Sequence, residues 1–308
     1  MTCYHPIQGW KSKHLNQYGN RKIVFSLNDG LHDQPVTLPC GQCIGCRLER
    51  SRQWAVRCIH EAQLHQENCF ITLTYNQDNL PADGSLNKAD FQKFMKRLRK
   101  HFYPQKLRYY MCGEYGYDEQ QPSKLGRPHF HACIFGIDFS DKELYKTTND
   151  VRIYTSTILE KIWNKGFVTV GDVTFESAAY VARYIAKKIT GDEADTHYFK
   201  INYETGEITQ VQPEYNDMSR RPGIARDWWH NYHRDTFKDF ITVNGRRMRP
   251  PKYYDQVLKE MYPDQFEIIK EKRKLESFEN FDETMPKRLA VKEGIKQRKY
   301  KHLPRDLK

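Results

Sequence analysis

The segment Pro128-His-Phe-His-Ala-Cys-Ile-Phe135 constrains the fold more than any other part of this sequence. Its aromatic and apolar content, ended by Gly136, predicts a β-strand. Residues two apart on a strand point to the same face, so His129 and His131 direct their imidazoles to one point. The residues between and after them are apolar, which predicts that the opposite face packs on helices. The chain is therefore expected to build a sheet with a histidine-bearing face.

The neighbouring segments predict an α+β fold. Apolar periodicity indicates helices at 47–66, 87–101 and 175–189, an interrupted helix at 141–163, and strands at 69–75, 107–112, 128–135 and 167–170. The core order β-α-β-β-α-β-α is typical of a ferredoxin-like or RRM-like antiparallel sheet with helices on one face. A hairpin is predicted within 191–212, around Glu204-Thr-Gly206. The charged chain beyond Pro263 is predicted to be helical or partly disordered.

Four regions follow from these patterns. Residues 1–66 form a cysteine-rich cap and its helix, 67–190 the core, 191–262 an accessory DNA-binding or packing region, and 263–308 a charged helical extension. The net charge of +11 suits a polyanionic partner. No apolar run is long enough to span a bilayer, and the start has no signal-peptide core, so we expect no membrane partner and a reducing cytoplasm.

A second chemical feature lies on the predicted helix 175–189. Tyr180, Tyr184 and Lys188 recur every four residues and form a stripe along one side. A separate stripe of alanine, valine and isoleucine can face the core, so the tyrosines are not the side chains that this helix most needs to bury. A phenol has a pKa near 10 and attacks phosphorus only when it is positioned and activated. We interpret the tyrosines as nucleophiles, the alternative being two packing aromatics.

A metal site completes this chemistry. Glu114 ends the strand before the histidines and is the natural third ligand if the two strands pair antiparallel. Mg²⁺ or Mn²⁺ held by Glu114, His129 and His131 would polarise a scissile phosphate and steady the leaving 3′ oxygen. Lys188 would stabilise developing charge or lower a tyrosine pKa, and Lys187 is its rival. Taken alone, the histidines fit an exposed sheet face equally well.

The cysteines indicate a second metal site. Cys40, Cys43 and Cys46 have ligand-like spacing, and Cys3 supplies a fourth thiolate, with His5 as its competitor. We expect a closed structural Zn²⁺ site, with an iron–sulfur cluster as the alternative. The other four cysteines, at positions 58, 69, 112 and 133, are expected in the core.

DNA contacts are assigned to cationic residues near these features. Position favours Arg127 beside the histidines and Arg183 and Lys187 beside the tyrosines. Arg220 and Arg221, with Trp228-Trp229, suit phosphate contact and base stacking, or equally a packed turn.

Three segments together resemble the replication initiators of the HUH endonuclease superfamily, in the same order along the chain. They are Phe70-Ile-Thr-Leu-Thr-Tyr75, Pro128-His-Phe-His131 and Tyr180-Val-Ala-Arg-Tyr184-Ile-Ala-Lys-Lys188. The double tyrosine, the cysteine cap, Gly113-Glu-Tyr-Gly116 and Gly126-Arg-Pro-His are similar to the microvirus group, especially the gokushoviruses. The resemblance covers about residues 1–260.

The resemblance implies a rolling-circle replication initiator that nicks and joins single-stranded origin DNA through a 5′-phosphotyrosyl intermediate, with Tyr180 and Tyr184 acting alternately. It places the protein in the cytoplasm of an infected bacterium, with the host replication machinery as partner. The sequence has no Gly-x-x-x-x-Gly-Lys-Ser/Thr loop, so a host helicase would open the strands. The alternatives are a non-catalytic zinc-containing nucleic-acid-binding protein and a metal-dependent hydrolase that uses water.

Overall fold

The structure is a computed structural model that describes residues 3–117, 125–148, 150–187, 194, 197–201 and 206–301. For residues 184–187, 200, 201, 300 and 301 it describes the backbone alone. The chain divides into two compact units, one made of the residues up to Arg50 and from Lys270 onward, the other of Ser51–Ile269.

The described elements follow one another in this order: β1 (Ile7–Leu15), β2 (Arg21–Val24), β3 (Gly30–Leu38), α1 (Ile44–Ala62), β4 (Asn68–Tyr75), α2 (Lys88–His101), β5 (Arg108–Tyr117), β6 (Leu125–Phe135), β7 (Glu143–Thr148), β8 (Val151–Thr155), α3 (Thr157–Trp163), β9 (Gly166–Gly171), α4 (Phe175–Lys187), β10 (Phe199–Ile201), β11 (Ile208–Gln210), β12 (Tyr215–Met218), α5 (Arg226–Tyr232), β13 (Ile241–Val243), β14 (Arg246–Met248), α6 (Lys252–Met261), α7 (Pro263–Glu279) and α8 (Pro286–Lys301).

A seven-stranded antiparallel sheet forms the centre of the larger unit, in the order β12-β5-β6-β4-β9-β8-β7. The strands β5-β6-β4-β9 occupy its middle, so the first and third core strands are neighbours. That order is the ferredoxin-like arrangement, and the predicted fold class is confirmed.

One face of this sheet, here called the first face, packs against α2 and α3. The alternate residues Ile71 and Leu73 of β4 point to it, as do Phe130 and Ile134 of β6. They meet the apolar stripe of α2 (Phe91, Phe94, Met95 and Leu98) and the buried side of α3. Asn87 begins α2, because its side chain accepts the backbone N–H of Ala89 at 3.0 Å.

Helices also cover most of the opposite face, here called the second face. Phe70, Cys133 and Phe135 point to this side and are buried against α1, α4, α5 and α6. The prediction of helices on one face alone was wrong. At the start of β4 and the end of β6, the residues that point to each face of the sheet are apolar. Helices therefore have to cover both faces there.

The region after the histidine strand differs from its prediction. Instead of an interrupted helix over 141–163, the chain forms the hairpin β7–β8 and only then α3. Val151, Ile153 and Thr155 are β-branched and favour a strand. The helix starts where the Ser156 hydroxyl accepts the backbone N–H of Leu159, at 3.1 Å.

Other predicted elements are confirmed. The helix predicted at 175–189 is α4 as far as Lys187, with Ala178, Val181 and Ala182 fully buried as its core stripe, and its last two predicted residues lie outside the described part of the chain. β10 and β11 form the predicted antiparallel hairpin, although its tip lies outside the described residues. The end of the chain is helical in α7 and α8.

In the smaller unit, β1 pairs with β2 and β3 in a three-stranded antiparallel sheet. The sequence predicted the cysteine cap but not these strands. Most of their residues are exposed on both sides, so no apolar alternation marks them.

Candidate metal centre and nucleophile

Three polar side chains meet on the second face of the central sheet. In the register of β5 and β6, Glu114 lies directly opposite His129, and His131 lies two residues further along β6. Because directly opposed residues share a face, the antiparallel pairing alone brings the carboxylate to both imidazoles.

Both imidazoles point at the same carboxylate oxygen. Nε2 of His129 lies 2.7 Å from Oε1 of Glu114, and Nε2 of His131 lies 3.1 Å from the same atom. Two ligands about 2.1 Å from a Mg²⁺ ion at right angles lie about 3 Å apart, so these distances suit an octahedral cation. Glu114 and His131 are buried, and the side chain of His129 is 14% exposed.

Neighbouring groups orient both imidazoles. Nδ1 of His129 bonds to the backbone oxygen of Arg127 at 3.0 Å, and Nδ1 of His131 bonds to the hydroxyl of Thr72 at 2.9 Å. A carbonyl oxygen only accepts, so Nδ1 of His129 carries a proton, and Nε2, which donates to Glu114 when no metal is bound, would lose its proton to bind one. Thr72 was not predicted from the sequence as a residue of the site. Thr72 lies on β4, directly opposite His131 of β6, and only the register of the two strands shows this.

Glu114 is a charged carboxylate with one oxygen to spare. Burial favours its neutral form, but hydrogen bonds to His129 and His131 outweigh burial and lower the pKa of Glu114 to about 2. Oε2 of Glu114 is buried and has no hydrogen-bond partner among the described residues. A buried anionic oxygen without a partner is costly, so the donor set fits a bound divalent cation.

Tyr180 of α4 is the tyrosine that the structure places at this site. Its ring centroid lies 5.1 Å from that of His131, and the two rings meet edge to face. The guanidinium carbon of Arg183 lies 5.9 Å from the Tyr180 ring centroid, so a cation flanks the phenol. Tyr184 and Lys187 belong to α4, but their side chains are not described, and Lys188 lies outside the described residues.

Two glycines bring the ends of β5 and β6 into close approach beside the carboxylate. A Cβ on Gly126 would lie 2.5 Å from the backbone oxygen of Gly116 and 2.8 Å from its carbonyl carbon. The strands also shift register between Tyr115 and Tyr117, as in a β-bulge. Both glycines belong to the segments by which the sequence resembles the microvirus group, and this backbone contact explains why glycine is needed at position 126.

The cationic residues assigned to DNA have different surroundings. Arg127 donates from Nη1 to the backbone oxygen of Tyr75 and from Nη2 to Oε1 of Gln77, both at 2.9 Å. It therefore ties the end of β4 to the histidine strand. Arg220 and Arg221 are exposed, and Nη2 of Arg220 lies 3.2 Å from Oδ1 of Asp217.

Trp228 and Trp229 do not provide an open stacking surface. Both are buried, and Nε1 of Trp228 donates to Oε1 of Gln63 at 2.7 Å. Their burial in α5 contradicts base stacking on these tryptophans, one of the two interpretations that the sequence allowed, whereas phosphate contact by Arg220 and Arg221 stays a prediction.

The four predicted cysteines form a second candidate metal centre. The sulfurs of Cys3 and Cys40 are 3.6 Å apart, those of Cys3 and Cys43 are 4.0 Å apart, and all four lie within 4.8 Å of one another. Tetrahedral Zn²⁺ with Zn–S bonds of about 2.3 Å separates its sulfurs by about 3.8 Å, so the cluster has the required dimensions.

Backbone donors surround these sulfurs. The N–H groups of Tyr4 and Cys40 point at the sulfurs of Cys43 and Cys3, at 3.3 and 3.2 Å. Burial opposes the thiolate of Cys40, but hydrogen bonds from Cys43 and Gln42 lower its pKa to about 7. His5, the rival to Cys3, instead binds Oε2 of Glu293 through Nε2, at 2.7 Å.

No helix in the described part of the chain is long and apolar enough to cross a membrane.

Comparisons with known proteins identify relatives of this chain. Residues 68–189, which contain the triad and Tyr180, match the family model described as replication-associated protein ORF2. The chain is 33% identical over 291 residues to the replication-associated protein VP4 of Bdellovibrio phage phiMH2K, covering 91% of this chain and 84% of that protein. It is 31% identical over 298 residues to the replication-associated protein ORF2 of Spiroplasma virus 4, covering 89% and 86%.

A third relative is the replication-associated protein ORF4 of Chlamydia phage 1, 31% identical over 254 residues, covering 78% of this chain and 59% of that protein. No solved structure matches the chain. With three relatives aligned over most of its length, the chain belongs to the family of phage replication-associated proteins.

Proposed function

We propose that this chain initiates rolling-circle replication of a circular single-stranded DNA genome by nicking and rejoining its origin, through an HUH-type reaction with a tyrosine nucleophile. The observation that carries the proposal is the position of Tyr180. Its ring meets that of His131, at a centroid distance of 5.1 Å, beside a buried carboxylate that both histidines share. Membership in the replication-associated family supplies the biological context.

The reaction exchanges one phosphodiester for another. The phenolic oxygen of the tyrosine bonds to phosphorus, and the bond between phosphorus and the 3′ oxygen breaks. The phenol loses a proton and the departing 3′ oxygen gains one, so the products are a 5′-phosphotyrosyl adduct and a free 3′-OH. Because no water enters, the adduct keeps the energy of the original bond for later rejoining.

The residues of the chain have separate tasks in this step. Glu114, His129 and His131 would hold a divalent cation, Mg²⁺ or Mn²⁺, which when bound would supply a Lewis acid for the phosphate. Thr72 and the backbone oxygen of Arg127 hold the imidazoles in position. Packing of α4 on the sheet holds Tyr180 near the same point, which lowers the entropic cost of attack.

A second tyrosine would complete the cycle. Tyr184 lies four residues, about one helical turn, after Tyr180 on α4. We assign to Tyr180 and Tyr184 alternating attacks, one that opens the origin and one that releases a closed circle. Lys188, with Lys187 as its rival, is assigned to charge stabilisation, and Arg183, Arg127, Arg220 and Arg221 to phosphate contact.

The four cysteines are assigned to a structural Zn²⁺ ion rather than to the reaction. Their sulfur spacing suits tetrahedral zinc, and in the smaller unit the ion would join the residues around Cys3 to the loop that precedes α1. We further assign the opening of duplex DNA to a host helicase and the site of action to the cytoplasm of the infected bacterium.

The test is a denaturing gel that reveals a covalent protein–DNA adduct. Labelled single-stranded oligonucleotides that tile the DNA carrying this gene are incubated with Mn²⁺ and the wild type, Tyr180→Phe, Tyr184→Phe, the double variant or His129→Ala. Tyr232→Phe, at an exposed tyrosine of α5, is the matched control.

We expect an adduct in the wild type and in Tyr232→Phe, and none in the double variant or in His129→Ala. Cleaved DNA without an adduct would replace the proposal by a hydrolase that uses water. Binding without any cleavage across the tiled DNA would leave a non-catalytic DNA-binding protein.

A further inference from the structure

In the register of the sheet, the residues of the metal triad lie in rows that run across the neighbouring strands. These rows include residues with no part in the proposed chemistry. Glu114 of β5 faces His129 of β6, His129 faces Thr74 of β4, and Thr74 faces Phe167 of β9. All four therefore point to the second face. The neighbouring row runs in the same way from His131 through Thr72 to Thr169.

Phe167, Thr74, Thr72 and Thr169, here called the open strip, are more exposed than Tyr110 and Cys112 on the other side of the triad. Phe167 is 66% exposed, and the three threonines are partly exposed. On the other side of the triad, α4 packs over β5, β6 and β12, and Tyr110 and Cys112 are fully buried there. The metal centre thus lies at the border between a covered and an open part of one sheet face.

A single exposed aromatic on a protein surface is common and needs no explanation by itself. The position of Phe167 is what distinguishes it. Its neighbours Val168 and Val170 point to the first face and are buried there, so the strand has a well-defined orientation and Phe167 is directed away from the core. Two strand spacings of about 4.8 Å separate it from His129, which places its Cα about 10 Å away.

We propose that Phe167 stacks against a base of the single-stranded substrate, next to the nucleotides held at the metal centre. The inference rests on the proposed function, because it requires DNA at the triad. A strand whose scissile phosphate lies at His129 and His131 would follow the open strip, with its bases on Phe167 and its phosphates within reach of threonine hydroxyls. The positive charge of the chain, +11, matches this occupant.

The proposed contact has a defined chemical character. Aromatic side chains on open sheet faces bind unpaired bases by stacking, which accepts every base because each has a π face. Phe167 therefore contributes affinity and sets the position of the strand along the sheet, and it does not read the origin sequence.

Equilibrium binding without the catalytic cation tests this contact separately from cleavage. Fluorescence anisotropy of a labelled single-stranded oligonucleotide, in buffer without added Mg²⁺ or Mn²⁺ and without a chelator that would remove the structural Zn²⁺, is measured for the wild type, Phe167→Ala, Phe167→Leu and Phe167→Trp, at several salt concentrations. Phe278→Ala is the matched control, since Phe278 of α7 is also highly exposed at 83%.

We expect the dissociation constant to rise about tenfold in Phe167→Ala. Phe167→Leu, which keeps an apolar side chain without a π face, should lose most of the same affinity, and Phe167→Trp should bind as the wild type does. The slope of affinity against salt should stay unchanged, because stacking releases no counterions. Wild-type binding by Phe167→Ala, or an equal loss in Phe278→Ala, would overturn the proposal.

The adduct assay keeps the two proposals distinguishable. If the wild type forms no adduct but Phe167→Ala binds DNA about tenfold more weakly, the stacking contact stands and the tyrosine chemistry falls. If the adduct forms and Phe167→Ala binds as the wild type does, the chemistry stands and the stacking contact falls.

Discussion

Replacing Gly126 with alanine should displace the metal ligands without touching them. The added Cβ would lie 2.5 Å from the backbone oxygen of Gly116, whereas ordinary contact begins at 3.4 Å. The difference of about 0.9 Å falls on backbone atoms, which have no rotamer by which to move aside. Gly116 is two residues from Glu114, and Gly126 is three residues from His129, so the two strands that carry all three proposed ligands must separate.

The expected loss of activity follows from how steeply the rate at a catalytic centre depends on the positions of its groups. A misplacement of about 1 Å costs about 100-fold in rate at a catalytic centre, and we expect a loss of that order in adduct formation. Overpacking of this kind also destabilises a fold by about 1–3 kcal/mol. Affinity for Mn²⁺ should fall in parallel, because the carboxylate and the imidazoles no longer converge.

The assays are single-turnover adduct formation, titration calorimetry with Mn²⁺ and thermal unfolding. The matched control is Gly171→Ala on β9, where an added Cβ would have its nearest neighbour at 3.9 Å and no clash. Gly171→Ala should behave as the wild type in all three assays. If Gly126→Ala bound Mn²⁺ and formed the adduct at the wild-type rate, the role of the glycine pair in positioning the ligands would be refuted.

Two further predictions concern stability and the second metal centre. Burial lowers the pKa of His60 to about 3, below its ordinary value near 6.5, so between these values the native state binds fewer protons than the unfolded state. The contribution of His60 to the free energy of unfolding should therefore be fully present above pH 6.5 and decrease as the pH falls, by about 2 kcal/mol from pH 7.5 to pH 5. In urea unfolding, His60→Gln should lack this part of the pH dependence. Elemental analysis of purified Cys43→Ser should show about one equivalent less zinc than the wild type. Unchanged zinc content would contradict the assignment, and iron in the wild type would replace zinc by an iron–sulfur cluster.

The local elements of this protein could be predicted from the sequence because their signals lie within a few residues. Alternation along 128–135 indicates a strand with both histidines on one face, and periodicity indicates the core stripe of α4, which is buried as expected. Cys40 and Cys43 lie just before α1 and Cys46 lies in its first turn, so the close approach of these three sulfurs needed little more than local geometry.

Contacts between distant segments were decided by tertiary structure. Helices cover both faces of the sheet, which depends on how distant segments pack. The hairpin β7–β8 replaces a predicted helix, because its β-branched residues favour a strand and the two strands pair with each other. Tertiary structure also decided the environment of Trp228. From the sequence this side chain could have stacked on bases, but in the fold it is buried and bonded to Gln63.

The candidate site shows the same division. The sequence by itself determined which side chains are available: two imidazoles two residues apart, a carboxylate at a strand end, and tyrosines one turn apart on a helix. Only the register of β4, β5, β6 and β9 set Glu114 against His129, Thr72 against His131 and Phe167 in the same row as the metal ligands. Strand register depends on hydrogen bonds between residues far apart in the chain, and a slip of one residue would send every one of these side chains to the opposite face.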